Sequence, residues 1–297
     1  MLKSFDITIG VLSYLRTDLL LQTIDCIKDT TFNVDVIILN NNDFCIKSDL
    51  DSIQGIPENV NINYVFCGEN LGVSKGRAKI VELCTTEYLI LLDDDIYLEN
   101  IDVIIENTLL NFEREPLLAL QAFNIKEYST GKHNKFEIPH KNKKIDLSKD
   151  FYTYIIIGAG NALRKSVVQE VGNFPKDFGL YGFEEIDLSF RVLNAGYVIK
   201  YLSKNIIFHK KSPDGRFSND KVLSLYLINR SKMAKRYFPS YFFVSCVLVR
   251  SCHYIIKTRN FKGLFFALGE IFNDKKVSKF NNEFYKYVSK VNGFLWY

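Results

Sequence analysis

Cysteine is sparse and unpatterned. The six cysteines among 297 residues (Cys26, Cys45, Cys67, Cys84, Cys246 and Cys252) form no CxxC pair and no zinc-ligand spacing. That excludes a disulfide-framed or zinc-stapled domain and reads as free thiols in a reducing cytoplasm. Proline is equally scarce, with six residues, and glycine numbers only 16, so collagen-like and proline-rich disordered architectures are excluded. Long apolar runs are missing too. The longest uncharged apolar-rich stretch, 237–249, holds 13 residues before Arg250, against roughly 20 needed to span a bilayer. The N-terminal segment has one early lysine and passes straight into an alternating pattern. It lacks the apolar stretch and small-residue cleavage site of a secretory signal.

What is present is a globular composition, 47% hydrophobic and 24% charged, with length enough for one large or two smaller cores. The net charge of +4 hides a split. Residues 1–220 carry 24 Lys and Arg against 31 Asp and Glu, a net of −7; residues 221–297 carry 14 against 3, a net of +11. The expected organisation is therefore an acidic body over 1–220 and a basic, aromatic-rich helical region over 221–297.

The body alternates strand and helix patterns. Residues 6–12 read as a short buried strand; Thr17 and Asp18 look like the cap and first-turn acid of a helix carrying Leu20, Leu21, Ile24 and Ile27 at helical spacing. Residues 35–39, 61–66 and 87–92 read as further strands, the first of them apolar enough to be buried on both faces. A helix over 74–83 is entered through Gly68 and Gly72. A helix over 101–112 and a strand over 117–123 follow, then a polar, lysine-rich excursion over 126–150. Long excursions in compact domains are often functional. Order returns at 154–157, with helices expected over 165–171 and 184–194 and strands over 197–202 and 206–208. No internal repeat is visible. The alternation predicts an α/β fold with a mixed, largely parallel central sheet and a helical C-terminal region.

Three clusters carry chemistry. Asp93, Asp94 and Asp95 follow directly on a buried strand, where open α/β sheets bind ligands. Three adjacent carboxylates repel unless a cation neutralises them, and a hard ion with oxygen ligands such as Mg²⁺ or Mn²⁺ suits them. The alternative is that they solvate the strand end and cap the helix near Ile101. Glu184, Glu185 and Asp187 crowd a helix start after a glycine-rich stretch, a position favoured by the helix dipole and equally sound for a general base. His209, followed by Lys210, Lys211 and Arg216 in a Pro/Gly-containing loop, offers an imidazole ligand beside cations suited to a diphosphate. A solvated basic loop is the other reading.

In this order, the segments TIGVLSYLR (8–16), NNND (40–43), NLG (70–72) with its helix, LDDD (92–95) and GFEEIDLSFR (182–191) resemble a family 2 glycosyltransferase of the GT-A fold. The run from Gly158-Ala-Gly160 through VGNF (171–174) to Gly196-Tyr197 is similar to bacterial surface-polysaccharide and rhamnosyltransferase-like members. The resemblance implies a Rossmann-like nucleotide-diphospho-sugar transferase that moves a sugar, with inversion, from a nucleotide-diphosphate donor to a hydroxyl of a growing surface glycan or lipid-linked saccharide. It places Leu12, Ser13, Tyr14, Asn40, Asn41 and Asn42 at the nucleotide base and ribose. Asp93 and Asp94 fall at the donor, with Lys210 and Arg216 on its phosphates. Asp95, Asp93 and His209 become ligands for Mn²⁺ or Mg²⁺. Glu185 or Glu184 becomes the catalytic base, with Asp187 a further candidate. Three positions depart from the pattern: Asn40 stands where Asp is common, Glu185 where the base is usually Asp, and Leu15 where Asn is usual.

A sugar nucleotidyltransferase would show a glycine-rich phosphate loop after the first strand, and residues 11–16 contain no glycine. A non-catalytic sugar-nucleotide-binding scaffold would keep the clusters and lose turnover. No nucleic-acid module is recognisable, so nucleic acid is not an expected partner. The basic tail, with amphipathic patterns over 237–256 and 261–272, fits an anionic leaflet and hence a peripheral place at the cytoplasmic membrane face. Packing on the catalytic body or in a homodimer explains it equally.

Overall fold

In a computed structural model, residues 5–212, 214 and 217–295 are described. Arg216, expected on the donor phosphates, lies outside them. The elements in chain order are β1 (Ile7–Ser13), α1 (Thr17–Lys28), β2 (Val34–Asn40), α2 (Lys47–Asp51), β3 (Val60–Phe66), α3 (Val73–Leu83), β4 (Tyr88–Asp93), β5 (Ile96–Tyr97), α4 (Ile101–Arg114), β6 (Leu118–Glu127) and β7 (Phe151–Thr153). They continue with β8 (Gly160–Arg164), α5 (Lys165–Glu170), α6 (Glu184–Asn194), β9 (Val198–His209), α7 (Asn219–Tyr237), α8 (Ser240–Thr258), α9 (Phe261–Asn273) and α10 (Asn282–Lys290).

The strands form one sheet in the order β3-β2-β1-β4-β8-β6-β9-β5, with β7 also paired to β9. Pairs β3–β2, β2–β1, β1–β4 and β6–β9 are parallel, and β8 runs antiparallel between β4 and β6. The unbroken apolar runs are explained by burial on both faces. Ile7, Ile9 and Val11 of β1, Val36 and Ile38 of β2, and Ile90 and Leu92 of β4 face one core. Leu12, Ile37, Leu39, Leu89 and Leu91 face the other, as the period of two requires.

Several boundaries differ from the sequence reading. Thr17 is the first residue of α1 rather than its cap; Arg16 holds the cap position without a side-chain cap bond, its guanidinium being drawn to Asp94 and Asp95. The two strands expected near 200 are one, β9, with an irregularity where Asn124 pairs with Ile206. Residues 154–157 are ordered but not a strand; the strand is β8, just after Gly158. The helix pattern over 237–256 is broken at Phe238-Pro239, so α7 ends and α8 begins there. Tyr237 and Phe238, with Phe284 and Val288 of α10, join the core of the α/β body. The helices α7, α8 and α9 share a small core of their own around Leu227, Tyr254 and Ile271. Among the described residues no helix is long and apolar enough to cross a membrane.

Register places the carboxyl ends of three parallel strands side by side: Leu12 pairs with Asp93, and Ser13 with Asn40. The candidate site gathers at that edge.

Candidate active site

Two buried acids and one partly exposed acid leave β4. Asp94 and Asp95 are almost fully enclosed, while Asp93 is half-buried. They do not cap the following helix, because Asn100 does so by accepting from the Val103 N–H. Arg16 lies 3.1 Å from Asp94 Oδ1 and 2.7 Å from Asp95 Oδ2, and the Tyr14 N–H donates to Asp94 Oδ2 at 3.0 Å. Burial pushes the Asp94 carboxyl up to about 7 even though Arg16 and the Tyr14 N–H oppose it. Asp95 is also pushed up by burial, but His209, Arg16 and the Ser212 N–H overcome this and hold it below the ordinary range. One half-buried cation thus serves two carboxylates, and the one with more partners keeps its charge.

His209 ends β9 opposite Ile96. Its Nε2 lies 3.2 Å from Asp95 Oδ1, and its Nδ1 bonds Glu137 Oε1. Burial alone would lower its pKa; the flanking carboxylates of Asp95 and Glu137 instead raise it to about 10. Glu137 is in turn held by Lys211 at 2.8 Å, and Lys211 reaches Glu127 at 3.0 Å. Ligand atoms of Asp93, Asp95 and His209 fall within 4.8 Å of one another. Two carboxylate oxygens and one imidazole nitrogen are a donor set that fits Mn²⁺ or Mg²⁺, and Glu137 stands where a ligating histidine usually finds its orienting carboxylate.

The second cluster is separated from the first by Arg77. This residue lies on the buried stripe of α3; its Nη2 is 3.0 Å from Asp93 Oδ1 and 2.9 Å from the Gly158 carbonyl, and its Nη1 is 2.9 Å from Glu184 Oε1. A Cβ at Gly158 would fall 2.6 Å from Arg77 Nη2, so glycine is required for this approach. Burial would lower the Arg77 pKa, but Asp93 and Glu184 raise it. Burial, then the neighbouring Glu185 charge, push Glu184 up to about 8 against the pull of Arg77. Asp187 is fully buried and gripped by Arg191, whose Nε and Nη2 are each 2.7 Å away. Glu185 is the least enclosed acid of the three, half-buried where Glu184 and Asp187 are buried, and its Oε2 is shielded from solvent without a hydrogen bond.

The start of α6 is aimed by its lead-in. Gly182 (φ +97°) and Phe183 (φ +71°) are both left-handed, and for a phenylalanine that is a strained conformation which the surroundings must impose. Asn229 of α7 imposes part of it, its Nδ2 donating to the carbonyls of Phe178, Tyr181 and Gly182 at 2.7, 3.1 and 2.9 Å.

The residues expected at the nucleotide gather at the same edge, but several are committed elsewhere. Leu12 is a core side chain. Ser13 is buried with its Oγ unpartnered. Asn40 bonds Phe44, Tyr64 and Asn42; Asn41 bonds Asn70 and Leu71; Asn42 accepts from the Leu15 N–H. The asparagines therefore shape the loops that rim the site. The Lys210 ammonium bonds Gln22 and lies over the Tyr128 ring. The sequence reading missed Arg16, Arg77, Glu137 and Asn229. An arginine on the buried stripe of α3 was a usable signal; Glu137, inside the polar excursion, offered none.

Comparison with known proteins gives this arrangement its context. Residues 8–172 match the family model described as Glycosyl transferase family 2. An uncharacterised Haemophilus influenzae protein is 35% identical over 171 residues, 57% of this chain and 92% of its own length. Among solved structures, the mannosyltransferase PcManGT from Pyrobaculum calidifontis, in complex with GDP-Man and Mn²⁺, has a TM-score of 0.59 at 14% identity, covering 91% of this chain and 74% of that one. TarS residues 1–349 from S. aureus, in complex with UDP-GlcNAc, has a TM-score of 0.61 at 11% identity, with 89% and 80% covered. The fold is that of the GT-A glycosyltransferases.

Proposed function

The chain belongs to glycosyl transferase family 2, and we propose that it is a metal-dependent, inverting glycosyltransferase. In this reading it moves a sugar from a nucleotide-diphosphate donor to a hydroxyl of a surface glycan or lipid-linked saccharide. The observation that carries the reading is the pairing of two acidic groups across Arg77: Asp93 on one side, with Asp95 and His209 close by, and the Glu184–Glu185 turn on the other.

Asp93, Asp95 and His209 would hold Mn²⁺ or Mg²⁺, which supplies neutralisation of the charge that gathers on a departing diphosphate. Ser13 and the loops built by Asn40, Asn41 and Asn42 form the wall on which the nucleoside rests. Glu185, half-buried with an enclosed Oε2 that makes no hydrogen bond, takes the proton from the acceptor hydroxyl as that oxygen attacks the anomeric carbon from the face opposite the leaving group. One base and one displacement invert the configuration. Glu184, bound to Arg77, and Asp187, bound to Arg191, are positioning acids that fix the turn. The exposed apolar faces of α8 and α9 and the +11 charge of residues 221–297 support a place at the cytoplasmic face of an anionic membrane.

General-base assistance contributes roughly 10²–10⁴ in rate. Glu185→Gln is expected to lose at least a factor of about 100 in donor turnover while nucleotide binding, measured by calorimetry, stays unchanged. Full activity of that variant would remove Glu185 from the role.

A further inference from the structure

The polar excursion borders a basin of about 680 Å³, within the usual size range of small-molecule sites. From the sheet it is lined by Asn124 and Lys126 of β6 and Ile206 of β9. These alternate with Ile125 and Ile207, which face the core, so the basin lies on the opposite face of the β6–β9 pair from His209. Most polar groups of the lining are already partnered. Asn124 donates from Nδ2 to the Ser203 carbonyl at 2.8 Å, so its Oδ1 accepts from His133 Nε2 at 2.7 Å. Lys143 donates to the Ile138 carbonyl, and Asp146 accepts from the N–H and hydroxyl of Ser148. Lys126 and Lys135 differ from these. Among the described residues neither ammonium has a hydrogen-bond or ion-pair partner; Lys126 lies 5.9 Å from the centre of the Phe208 ring and Lys135 5.1 Å from that of Phe136. Phe208 in turn begins a strip of rings beside the basin. It pairs with Tyr97 of β5, the ring centres 6.1 Å apart, and Tyr97 meets Tyr128 edge-on at 5.3 Å. Tyr128 is more than half exposed, and Lys210, held by Gln22, ends the strip 5.4 Å from its ring.

Each part of this surface selects a chemical group. The unpartnered ammoniums gain charge-assisted hydrogen bonds from a carboxylate or phosphate. The open ring faces, which carry partial negative charge, gain by being covered with the C–H face of a sugar. Amide, imidazole and hydroxyl groups in the lining suit hydroxyls. A ligand that brings acid groups, C–H faces and hydroxyls together is an acidic sugar. Single-stranded nucleic acid also joins charge to rings, but it needs a stacking platform for successive bases and many phosphate contacts. Here Tyr97 and Tyr128 cross at 70°, and two unpartnered ammoniums are few for a phosphate backbone. We propose that the basin and the adjoining ring strip bind an acidic saccharide, a sugar chain bearing carboxylate or phosphate groups, at a subsite apart from the reacting centre. The excursion joins the two places, since Glu137, which falls between the lining residues Lys135 and Ile138, reaches His209. Binding of the saccharide is independent of the glycosyl-transfer reading, which supplies only a reason for a glycan to pass here.

Calorimetry on the full chain, without divalent metal, tests this with tetragalacturonate, neutral maltotetraose and tetrathymidylate. Tetragalacturonate is expected to bind at least about tenfold more tightly than either of the others. The Lys126→Met/Lys135→Met double variant is expected to lose at least about tenfold in that affinity, because two charge-assisted hydrogen bonds go. Tyr128→Ala is expected to lose about threefold with its ring. Thermal denaturation checks that both variants are folded. Absence of tetragalacturonate binding overturns the subsite. So does unchanged affinity in either variant, which would move the acid to the basic C-terminal region. Equal binding of maltotetraose overturns the acidic class of ligand, and equal binding of tetrathymidylate makes the face a nucleic-acid surface instead.

Discussion

Arg77 donates from Nη1 to Glu184 Oε1 at 2.9 Å, and both side chains are buried. The other end of the same guanidinium holds Asp93 and the Gly158 carbonyl, so one cation spaces the proposed metal-binding acids from the proposed base. Removing one partner of a buried pair leaves an uncompensated charge, at a cost of about 3–5 kcal/mol. Arg77→Met is therefore expected to lower stability by about that much and to reduce donor turnover at least tenfold. Adding Asp93→Asn to that background is expected to return part of the stability, since Asp93 also loses its cation, whereas Glu184, at about 8 even beside Arg77, is already protonated at pH 7. Urea denaturation of the two variants measures this; identical midpoints would show that Arg77 and Asp93 are not coupled.

His209 depends on a residue that no motif marks. Glu137 bonds its Nδ1, the relationship by which an outer carboxylate fixes the orientation of a ligating imidazole. Glu137→Gln is expected to weaken Mn²⁺ binding by about 10–100-fold, measured by titration of the metal with nucleotide present. Asp95→Ala should abolish it. Unaltered Mn²⁺ affinity in Glu137→Gln would assign Glu137 to holding Lys211 alone.

How much of this was readable in advance depends on the range of the interaction. The strand patterns of β1, β2 and β4 announced their two-sided burial because each residue carries its own hydrophobicity. The order of the acidic and basic clusters pointed to the candidate site because family motifs are local in sequence. What stayed hidden is long-range pairing. Arg77 meets Glu184 across 107 positions, and Asn229 meets the Phe178 carbonyl across 51. Nothing in the neighbourhood of either residue names its partner. The tail was half legible: its charge and aromatics were plain, but Pro239 splits the expected helix, and α7 and α10 are drawn into the body's core by Tyr237, Phe238 and Phe284.

The helices α8 and α9 keep the outward faces that the membrane reading needs. Tyr241, Val244, Leu248 and Ile256 recur along α8, and Phe261, Phe265, Phe266 and Phe272 along α9, each more than half exposed. Arg250, Lys257, Arg259 and Lys262 accompany them. Burying a phenylalanine contributes about 1.5–3 kcal/mol. A Phe265→Ser/Phe266→Ser variant is therefore expected to lose at least about tenfold in partitioning to phosphatidylglycerol vesicles, with binding of the parent weakened by salt and poor on phosphatidylcholine. Equal sedimentation of variant and parent would remove the membrane; a parent dimer lost in the variant would assign the face to a second copy.

Asp177 ties the loop before α6 to the C-terminal helices and sets a pH dependence. It receives Arg236 at 2.5 Å and Lys276 at 2.9 Å. Burial alone would raise its pKa, but these two cations lower it to about 2. An acid whose folded pKa is depressed binds fewer protons folded than unfolded. Its contribution is therefore complete above the unfolded value of about 3.9 and disappears as pH falls through the folded one. Because the carboxylate is about a third exposed, solvent screening reduces the worth of the shift to on the order of 1 kcal/mol. Asp177→Asn is expected to lower the unfolding free energy at pH 7, read from urea denaturation, by that amount, with the gap from the parent closing as pH is lowered from 4 towards 2. A gap that persists unchanged across that window would mean that the asparagine disturbs packing, and that the ion pairs with Arg236 and Lys276 contribute nothing measurable.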